Sequence, residues 1–282
     1  MKIGRVLVIA NQLKPEATEL SIDIRNYLES LDIETIVLGL SGKPSQPALE
    51  SFDLAISLGG DGTVLYSSRI LAHRRIPILP INLGEFGFIT EVTREEWKDA
   101  FEKFRSGKLV AGSRLVLRTR VVRSEREILS TIGLNETVIA SSGISKIVRL
   151  HAFLSGCRLG SYRADGIIVA TPTGSTAYSA AAGGPILHPE MDAMIINPIC
   201  PFTLSARPLV VPGTERIEIF ISESQRTELS LTVDGQTNVP VLPRDTIIIE
   251  RSEDPALIVR SDRRTFYDVL RSKLRWSGEP NA

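Results

Sequence analysis

The residues Gly59-Gly60-Asp61-Gly62-Thr63 form the most informative stretch of this chain of 282 residues. They follow an apolar run at 52–56 that predicts a buried strand, and they precede a helix predicted to begin near Val64. A glycine-rich turn between a strand and a helix presents several main-chain N–H groups to a phosphate. Asp61 adds a carboxylate, which suits an anion site only when it handles a proton or a hydroxyl. The stretch therefore indicates phosphoryl transfer to an alcohol; the alternative is a plain glycine-rich β-turn.

A second polar pair, Asn135-Glu136, lies between two strand-like runs. The amide offers a donor and an acceptor, and the carboxylate accepts from two hydroxyls, so the pair suits a sugar or the edge of a base. The alternative interpretation is a structural turn.

The segment 171–179 is the strongest of the second half of the chain. A buried strand predicted at 167–170 ends in a Pro/Gly turn and enters a helix of small residues at 176–183. Capping that helix needs one hydroxyl, whereas the turn carries four, and Tyr178 follows them. The hydroxyl residues are Thr171, Thr173, Ser175 and Thr176. This excess favours hydrogen bonding to a planar polar ligand over capping.

Other chemistries lack their motifs. The sequence has no G-x-x-x-x-G-K-[ST], no G-x-G-x-x-G after the first strand and no G-x-S-x-G. His73, His151 and His188 share no spacing that predicts a metal site or a triad, so we interpret all three as structural and predict no protein-held metal.

Charge and cysteine content limit the class of protein. Lys+Arg and Asp+Glu both number 33, which argues against a nucleic-acid partner bound by phosphate neutralisation. Cys157 and Cys200 have no metal-ligand spacing, and we interpret them as small apolar residues of a reduced protein. No apolar run approaches the roughly 18 residues of a membrane span. We expect a cytoplasmic protein with no membrane partner.

Hydrophobic patterning predicts two domains. Residues 1–110 alternate buried strands with amphipathic helices, which is typical of an α/β, Rossmann-like domain with a parallel sheet. Residues 111–257 carry short period-2 runs rich in branched side chains, typical of an all-β, sandwich-like domain. Helical spacing returns at Phe266, Val269, Leu270 and Leu274, so the segment 258–276 is expected to return to the first domain. The bound ligand is expected beyond the carboxyl ends of the parallel strands.

Taken in order, the motifs at 59–63, 135–136, 165–185, 204–209 and 234–236 resemble those of the NAD kinase family. These ATP-dependent enzymes phosphorylate the adenosine ribose 2′-hydroxyl of NAD to give NADP. The GGDGT stretch is shared with lipid kinases and phosphofructokinases, whereas TPTGSTAYS is more specific. One departure is Phe202, which stands where the family usually has His.

The resemblance implies roles for individual residues. Asp61 matches the proton acceptor, and we expect the turn residues Gly59, Gly60, Gly62 and Thr63 to hold the phosphates of ATP. The NAD-contacting positions are Asp61, Gly62, Asn135, Glu136, Lys146, Arg163, Asp165, Thr173, Thr176, Ala177, Tyr178, Ser179, Ala180, Ala181 and Gln236. Some of these would reach across a subunit boundary, because the resemblance also implies a homodimer or homotetramer. Mg²⁺ is expected to travel with the ATP phosphates.

Two rival functions differ in testable features. A lipid kinase of the diacylglycerol type would use the same glycine-rich turn, but it predicts a membrane-facing apolar or basic segment that this sequence does not show. A nucleotide-sensing module would keep the adenine pocket and lose the proton acceptor, and Asp61 argues against it.

Overall fold

The computed structural model describes residues 2–41, 51–84, 87–143, 147–203 and 205–275. By its internal contacts the chain divides into two compact units, at Ser113/Arg114 and at Pro255/Ala256. The first unit joins the amino-terminal part to the carboxyl-terminal segment, and the second lies between them. Lys146 falls outside the described residues.

The amino-terminal part alternates strands and helices. Its elements are β1 (Arg5–Asn11), α1 (Pro15–Glu29), β2 (Glu34–Leu40), β3 (Leu54–Gly59), α2 (Asp61–Leu71), a 3-10 turn (Ala72–Arg74), β4 (Ile78–Asn82), β5 (Val92–Thr93), α3 (Trp97–Arg105) and β6 (Ala111–Arg114). Helix α1 starts at a proline, whose fixed φ suits the first turn, and it buries Leu20, Ile24 and Leu28 at helical spacing. Strand β3 is buried along its whole length, as expected for a parallel strand covered on both faces.

The second unit is built from antiparallel strands. Its elements are β7 (Leu117–Arg123), β8 (Arg126–Gly133), β9 (Glu136–Ser141), β10 (Val148–Leu154), β11 (Cys157–Ala164), β12 (Gly166–Ala170), a 3-10 turn (Thr173–Thr176), the single helical turn α4 (Tyr178–Ala181), β13 (Ala193–Ile199), β14 (Leu209–Pro212), β15 (Ile217–Ile221), β16 (Leu229–Val233), β17 (Thr237–Val241) and β18 (Thr246–Arg251). Within the described residues they form a sheet in the order β11-β10-β15-β18-β7-β8 and another in the order β14-β13-β12-β9-β16-β17. Inward-facing residues of both sheets share one apolar core, so the unit is a β-sandwich.

The carboxyl-terminal segment completes the first unit through β19 (Ala256–Val259) and α5 (Phe266–Leu274). The sheet runs β2-β1-β3-β4-β19-β6, with β5 also beside β4, and β19 pairs with β4 in parallel. Arg264 donates to both carboxylate oxygens of Glu96, at 2.7 and 3.0 Å, and this pairing lowers the pKa of Glu96. The Ser261 N–H donates to Glu91 at 3.1 Å. The predicted return of this segment to the α/β unit is confirmed.

The predicted fold class is confirmed, with local corrections. Helix α2 begins at Asp61 rather than near Val64, because Gly60 already takes the N-cap position. The helix predicted at 176–183 is a 3-10 turn followed by one α-turn. Both cysteines are exposed, so they do not pack as small apolar residues.

A buried hydroxyl pair crosses the sandwich core and allows a stability test. Thr119 Oγ1 and Thr137 Oγ1 lie 2.6 Å apart, and both residues are fully buried. Replacing one partner leaves the other hydroxyl unpaired, so we expect Thr119→Val to lower the free energy of unfolding by ~2 kcal/mol. Replacing both should cost less than the sum of the single changes. Urea denaturation of the native chain, both single variants and the double variant measures this, and additive losses would contradict it.

Candidate active site

In the first unit, the Asp61 carboxylate accepts four hydrogen bonds from one short loop. Its carboxylate accepts from the main-chain N–H groups of residues 88–90: Phe88 to Oδ2 at 2.8 Å, and Ile89 and Thr90 to Oδ1, each at 3.1 Å. The Thr90 hydroxyl also donates to Oδ1, at 3.1 Å. These bonds fix the orientation of a partly exposed carboxylate, and in the described part of the chain no Lys or Arg forms an ion pair with it.

Gly87 makes this arrangement sterically possible. A Cβ at Gly87 would lie 1.9 Å from Asp61 Oδ1 and 2.5 Å from Thr90 Oγ1, distances that no side chain tolerates. The loop and the carboxylate therefore approach each other as closely as they do only because residue 87 has no side chain.

The residues of the glycine-rich turn have two different roles. A Cβ at Gly59 would meet Thr63 Oγ1 at 2.1 Å, and Thr63 itself is buried with its N–H donating to Gly60 O at 2.9 Å. Gly59 and Thr63 therefore shape the turn. Around Gly60 and Gly62 nothing lies within 4 Å of an added Cβ, so the surface there is open to a ligand. Because Asp61 starts helix α2, this open surface is a helix N-terminus, where anions bind favourably.

A cavity of about 250 Å³ lies in the first unit at the carboxyl end of β4. It is lined by Glu16, Asn82, Leu83, Gly84, Thr93, Arg94 and Glu95. Lys14, which precedes helix α1, donates from Nζ to the carbonyl of Leu83 at 3.1 Å. The cavity occupies the position expected for a ligand of an open parallel sheet.

In the second unit, Asn135 and Glu136 lie at the start of β9 beside the end of β12, where Glu136 pairs with Ala170. Both are more than nine-tenths buried, yet Asn135 Oδ1 and Glu136 Oε2 have no hydrogen-bond partner among the described residues. Burial, and after it the charge of Asp234, raises the pKa of Glu136 to about 8, although the main-chain N–H of Tyr178 opposes the rise. At neutral pH the Glu136 side chain is therefore mostly a neutral acid that donates as well as accepts.

The hydroxyls of the 171–176 turn do not all face a ligand. Thr171 Oγ1 donates to Leu134 O at 2.6 Å, Ser175 Oγ to Pro172 O at 2.7 Å, and Thr176 Oγ1 to Thr173 O at 3.3 Å. These three hydroxyls hold the turn together. Thr173 Oγ1 is buried without a partner, like Asn135 Oδ1 and Glu136 Oε2. Unpartnered buried oxygens are costly, so their gathering at one edge of the sheet indicates a ligand-binding site.

The remaining predicted site residues of this unit fall into two groups. Ala177, Tyr178, Ser179, Ala180 and Ala181 continue the same turn, with the Tyr178 ring half exposed, and Gln236 lies in the β16–β17 hairpin turn at the same edge. Arg163 and Asp165 precede β12, at the other end of that strand. Six residues of extended chain separate Asp165 from Thr171, about 20 Å. The structure thus does not bring these two residues to the Asn135–Glu136 edge of their own chain.

Phe202, the departure from the family pattern, lies beside Arg163. Its N–H donates to Arg163 O at 2.8 Å, and the Arg163 guanidinium lies 4.9 Å from the centre of its ring. The ring is 67% exposed, so it stacks on the guanidinium rather than filling a core.

The described part of the chain shows neither a clustered metal-ligand set nor a membrane helix. No three His, Cys, Asp or Glu side chains of these ranges are grouped so as to hold a metal ion. No helix within them is long and apolar enough to span a membrane.

Comparison with known families matches both units. The ATP-NAD kinase N-terminal domain family matches residues 45–109, and the ATP-NAD kinase C-terminal domain family matches residues 134–261. A NAD kinase of Treponema denticola is 42% identical over 275 residues, which cover 97% of each chain. A NAD kinase of Moorella thermoacetica is 39% identical over 97% of this chain and 90% of its own.

Solved structures share the architecture. A NAD kinase from Archaeoglobus fulgidus in complex with ATP is 28% identical, with a TM-score of 0.75 over 97% of this chain and 100% of that chain. A yeast NADH kinase complexed with NADH superimposes with a TM-score of 0.86 over 98% and 89% of the two chains; at 24% identity it shows the shared fold.

The close approach of the 87–90 loop to Asp61 predicts that a single added methyl group at residue 87 is destabilising. Gly87→Ala must displace the carboxylate or the loop, and we expect it to lower the free energy of unfolding by ~2 kcal/mol. Gly84→Ala is the matched control, since its Cβ would meet only the flexible end of Lys14, at 3.1 Å. Chemical denaturation compares the two, and a crystal structure of Gly87→Ala should show Asp61 displaced. Equal stability of both variants would contradict the close approach.

The raised pKa of Glu136 predicts that replacing this residue with an uncharged one increases the stability of the folded chain in a pH-dependent way. Because the folded-state pKa lies above the ordinary value, Glu136 contributes its full stability below about pH 4.5 and loses it as the pH rises through about 8. Glu136→Gln should therefore gain stability over the native chain between pH 5 and pH 9, by ~3 kcal/mol. Thermal unfolding at several pH values measures this, with exposed Glu228→Gln as control. A difference that does not change with pH would contradict it.

Proposed function

The chain belongs to the ATP-NAD kinase family, and we propose that Asp61 is the proton acceptor when it phosphorylates NAD to NADP with ATP. The main support for this proposal is that the two oxygens of the Asp61 carboxylate accept different numbers of hydrogen bonds: Oδ1 accepts three and Oδ2 accepts one. A carboxylate oxygen has about two acceptor positions. Oδ2 therefore keeps one for the hydroxyl of a substrate.

In the proposed reaction the adenosine ribose 2′-hydroxyl donates to Asp61 Oδ2. The bond from O2′ to the γ-phosphorus of ATP forms, the bond from that phosphorus to the bridging oxygen breaks, and ADP leaves. The 2′-hydroxyl proton passes to Oδ2 and then to solvent. Because phosphoryl transfer has a loose transition state, the enzyme contributes mainly position and charge stabilisation, which a carboxylate fixed by main-chain amides supplies.

For the phosphates of ATP we propose the open surface at Gly60 and Gly62, with Gly59 and Thr63 holding its shape. The start of helix α2 attracts negative charge, and glycine lets the phosphates approach the main chain closely. We propose that Mg²⁺ enters with ATP, since phosphate oxygens and water supply most ligands of this ion in nucleotide complexes. Its contribution would be to neutralise charge on the transferred group.

For the adenosine part of NAD we propose the edge formed by Asn135, Glu136, Thr173 and the turn 176–181, with Gln236 beside it. The unpartnered oxygens of Asn135, Glu136 and Thr173 support this, because hydroxyls and amino groups of a dinucleotide would satisfy them. The half-exposed ring of Tyr178 supplies a face on which a base stacks.

Arg163 and Asp165 take a different place in the proposal. Their position at the opposite end of β12 supports contact with a dinucleotide held by a neighbouring copy of the chain, as a homodimer or homotetramer allows. Lys146, outside the described residues, stays a predicted NAD contact, and the cytoplasmic location stays a prediction.

The function is tested with the purified chain, Mg-ATP and NAD. We expect NADP, detected by a dehydrogenase specific for it, and no phosphorylation of diacylglycerol under the same conditions. Absence of NADP formation would overturn the proposal.

The role of Asp61 is tested by Asp61→Asn, which keeps the shape of the side chain but cannot accept the proton. We expect kcat to fall by roughly 10²–10⁴ while the affinity for NAD stays within a few-fold. Asp53→Asn is the matched control, because Asp53 also accepts two main-chain N–H groups, from Gly4 at 2.7 Å and Arg5 at 2.9 Å. The Asp53 carboxylate lies at the amino end of β1, away from the glycine-rich turn, so the kcat of Asp53→Asn should equal that of the native chain. Near-native turnover of Asp61→Asn would remove Asp61 from the role.

A further inference from the structure

We propose that Asp234 is a positioning residue for the dinucleotide site, which fixes the main chain of residues 134–136 and thereby aims the side chains of Asn135 and Glu136. This inference rests on the proposed NAD-binding role of that pair and adds a residue to which the sequence motifs assign no function.

The Asp234 carboxylate accepts from three successive main-chain amides. Leu134 N–H donates to Oδ2 at 2.7 Å, and the N–H groups of Asn135 and Glu136 donate to Oδ1 at 2.8 and 3.0 Å. Successive amides of a regular strand point to opposite sides, so three that converge on one group form a concave turn of the main chain. All four residues are buried, so water does not compete for these bonds.

The hairpin turn between β16 and β17 presents Asp234 in a fixed geometry. Asp234 and Gly235 have φ angles of 52° and 65°, and the Gln236 N–H donates to Val233 O at 2.9 Å. These are the features of a type I′ turn, in which Asp-Gly is a preferred pair. The Asp234 N–H in turn donates to Glu136 O at 3.0 Å. The turn and the start of β9 are therefore joined in both directions.

Fixing the main chain at this point fixes where the side chains point. Asn135 and Glu136 each donate their N–H to Asp234, while the structure describes no hydrogen-bond partner for their side-chain oxygens Oδ1 and Oε2 within residues 2–41, 51–84, 87–143, 147–203 and 205–275. The main-chain bonds thus hold two ligand-binding side chains in position and leave their polar atoms to the ligand. A displacement of about 1 Å at such a site can cost on the order of 10²-fold in rate or affinity.

Because Asp234 is charged, a positioning role should also be visible in the titration of Glu136, which a merely structural residue would not change. Among the described residues, the groups that act on the Glu136 carboxyl are the Asp234 carboxylate and the main-chain N–H of Tyr178. Asp234 disfavours the ionised form of Glu136, because like charges repel across a buried site. Neutralising residue 234 therefore shifts the titration of Glu136 toward lower pH as well as loosening its main chain.

The test is Asp234→Asn in the full-length chain, with KM for NAD, KM for Mg-ATP and kcat measured from pH 6 to pH 10. We expect KM for NAD to rise by about 10- to 100-fold, KM for ATP to stay within about twofold, and the inflection linked to Glu136 to move down by about one pH unit. Glu136→Gln should abolish that inflection, and the double variant Glu136→Gln/Asp234→Asn should show none either.

Asp245→Asn is the matched control in the same unit. Asp245 is fully buried, accepts the Leu242 N–H at 2.8 Å and pairs with Arg123, so it loses a comparable set of bonds away from Glu136. Its loss should lower Tm without changing KM for NAD. Gly133→Ala is a second route should Asp234→Asn not fold, because its Cβ would lie 2.5 Å from Val233 Cγ1 and 2.9 Å from Asp234 Oδ1, and so would crowd the turn that carries the intact carboxylate. It too should raise KM for NAD selectively.

The outcomes separate this inference from the proposed function. If the native chain forms no NADP, the proposed function fails, whatever the variants do. If the native chain forms NADP but Asp234→Asn keeps its KM for NAD and its pH profile, or changes both no more than Asp245→Asn does, only the positioning role is overturned.

Discussion

The structure depends on one interaction used in both units: a carboxylate that accepts from three successive main-chain amides. Asp61 accepts the main-chain N–H groups of residues 88–90 in the α/β unit, and Asp234 accepts those of residues 134–136 in the sandwich. Charge-assisted bonds of this kind are about twice as strong as neutral ones. They also fix the orientation of an acid through the main chain, whose position is set by the fold.

This interaction limits which residues can stand next to it. Gly87 borders the Asp61 carboxylate, and Gly133 borders that of Asp234; an added Cβ would lie within 3 Å of a carboxylate oxygen at either position. Gly174 has a related constraint, since a Cβ there would lie 2.1 Å from Asn135 O. These three glycines thus serve close packing as much as turn conformation, and each allows a close contact with a segment distant in sequence.

Sequence patterns predicted the features that depend on neighbours along the chain. Alternating strands and helices predicted the α/β unit, and period-2 runs predicted the sandwich. Features that depend on distant partners were missed. The main-chain partners of Asp234 lie about 100 residues earlier, and the hydroxyls of Thr171 and Ser175, counted as ligand groups, bond to carbonyl oxygens instead. Local patterning shows which side chains are polar, whereas only the fold shows which of them are already satisfied.

What remains unsatisfied is therefore the better guide to function. A folded chain rarely buries acceptor oxygens without donors, because each costs free energy that packing must offset. Asn135 Oδ1, Glu136 Oε2 and Thr173 Oγ1 are such atoms, and they gather at the edge where Glu136 carries a raised pKa. A neutral Glu136 offers a donor and an acceptor to a pair of sugar hydroxyls, which an ionised carboxylate cannot do. Desolvation of this edge thus favours an uncharged polyhydroxylated ligand group there. In the other unit, the start of α2 favours phosphate groups.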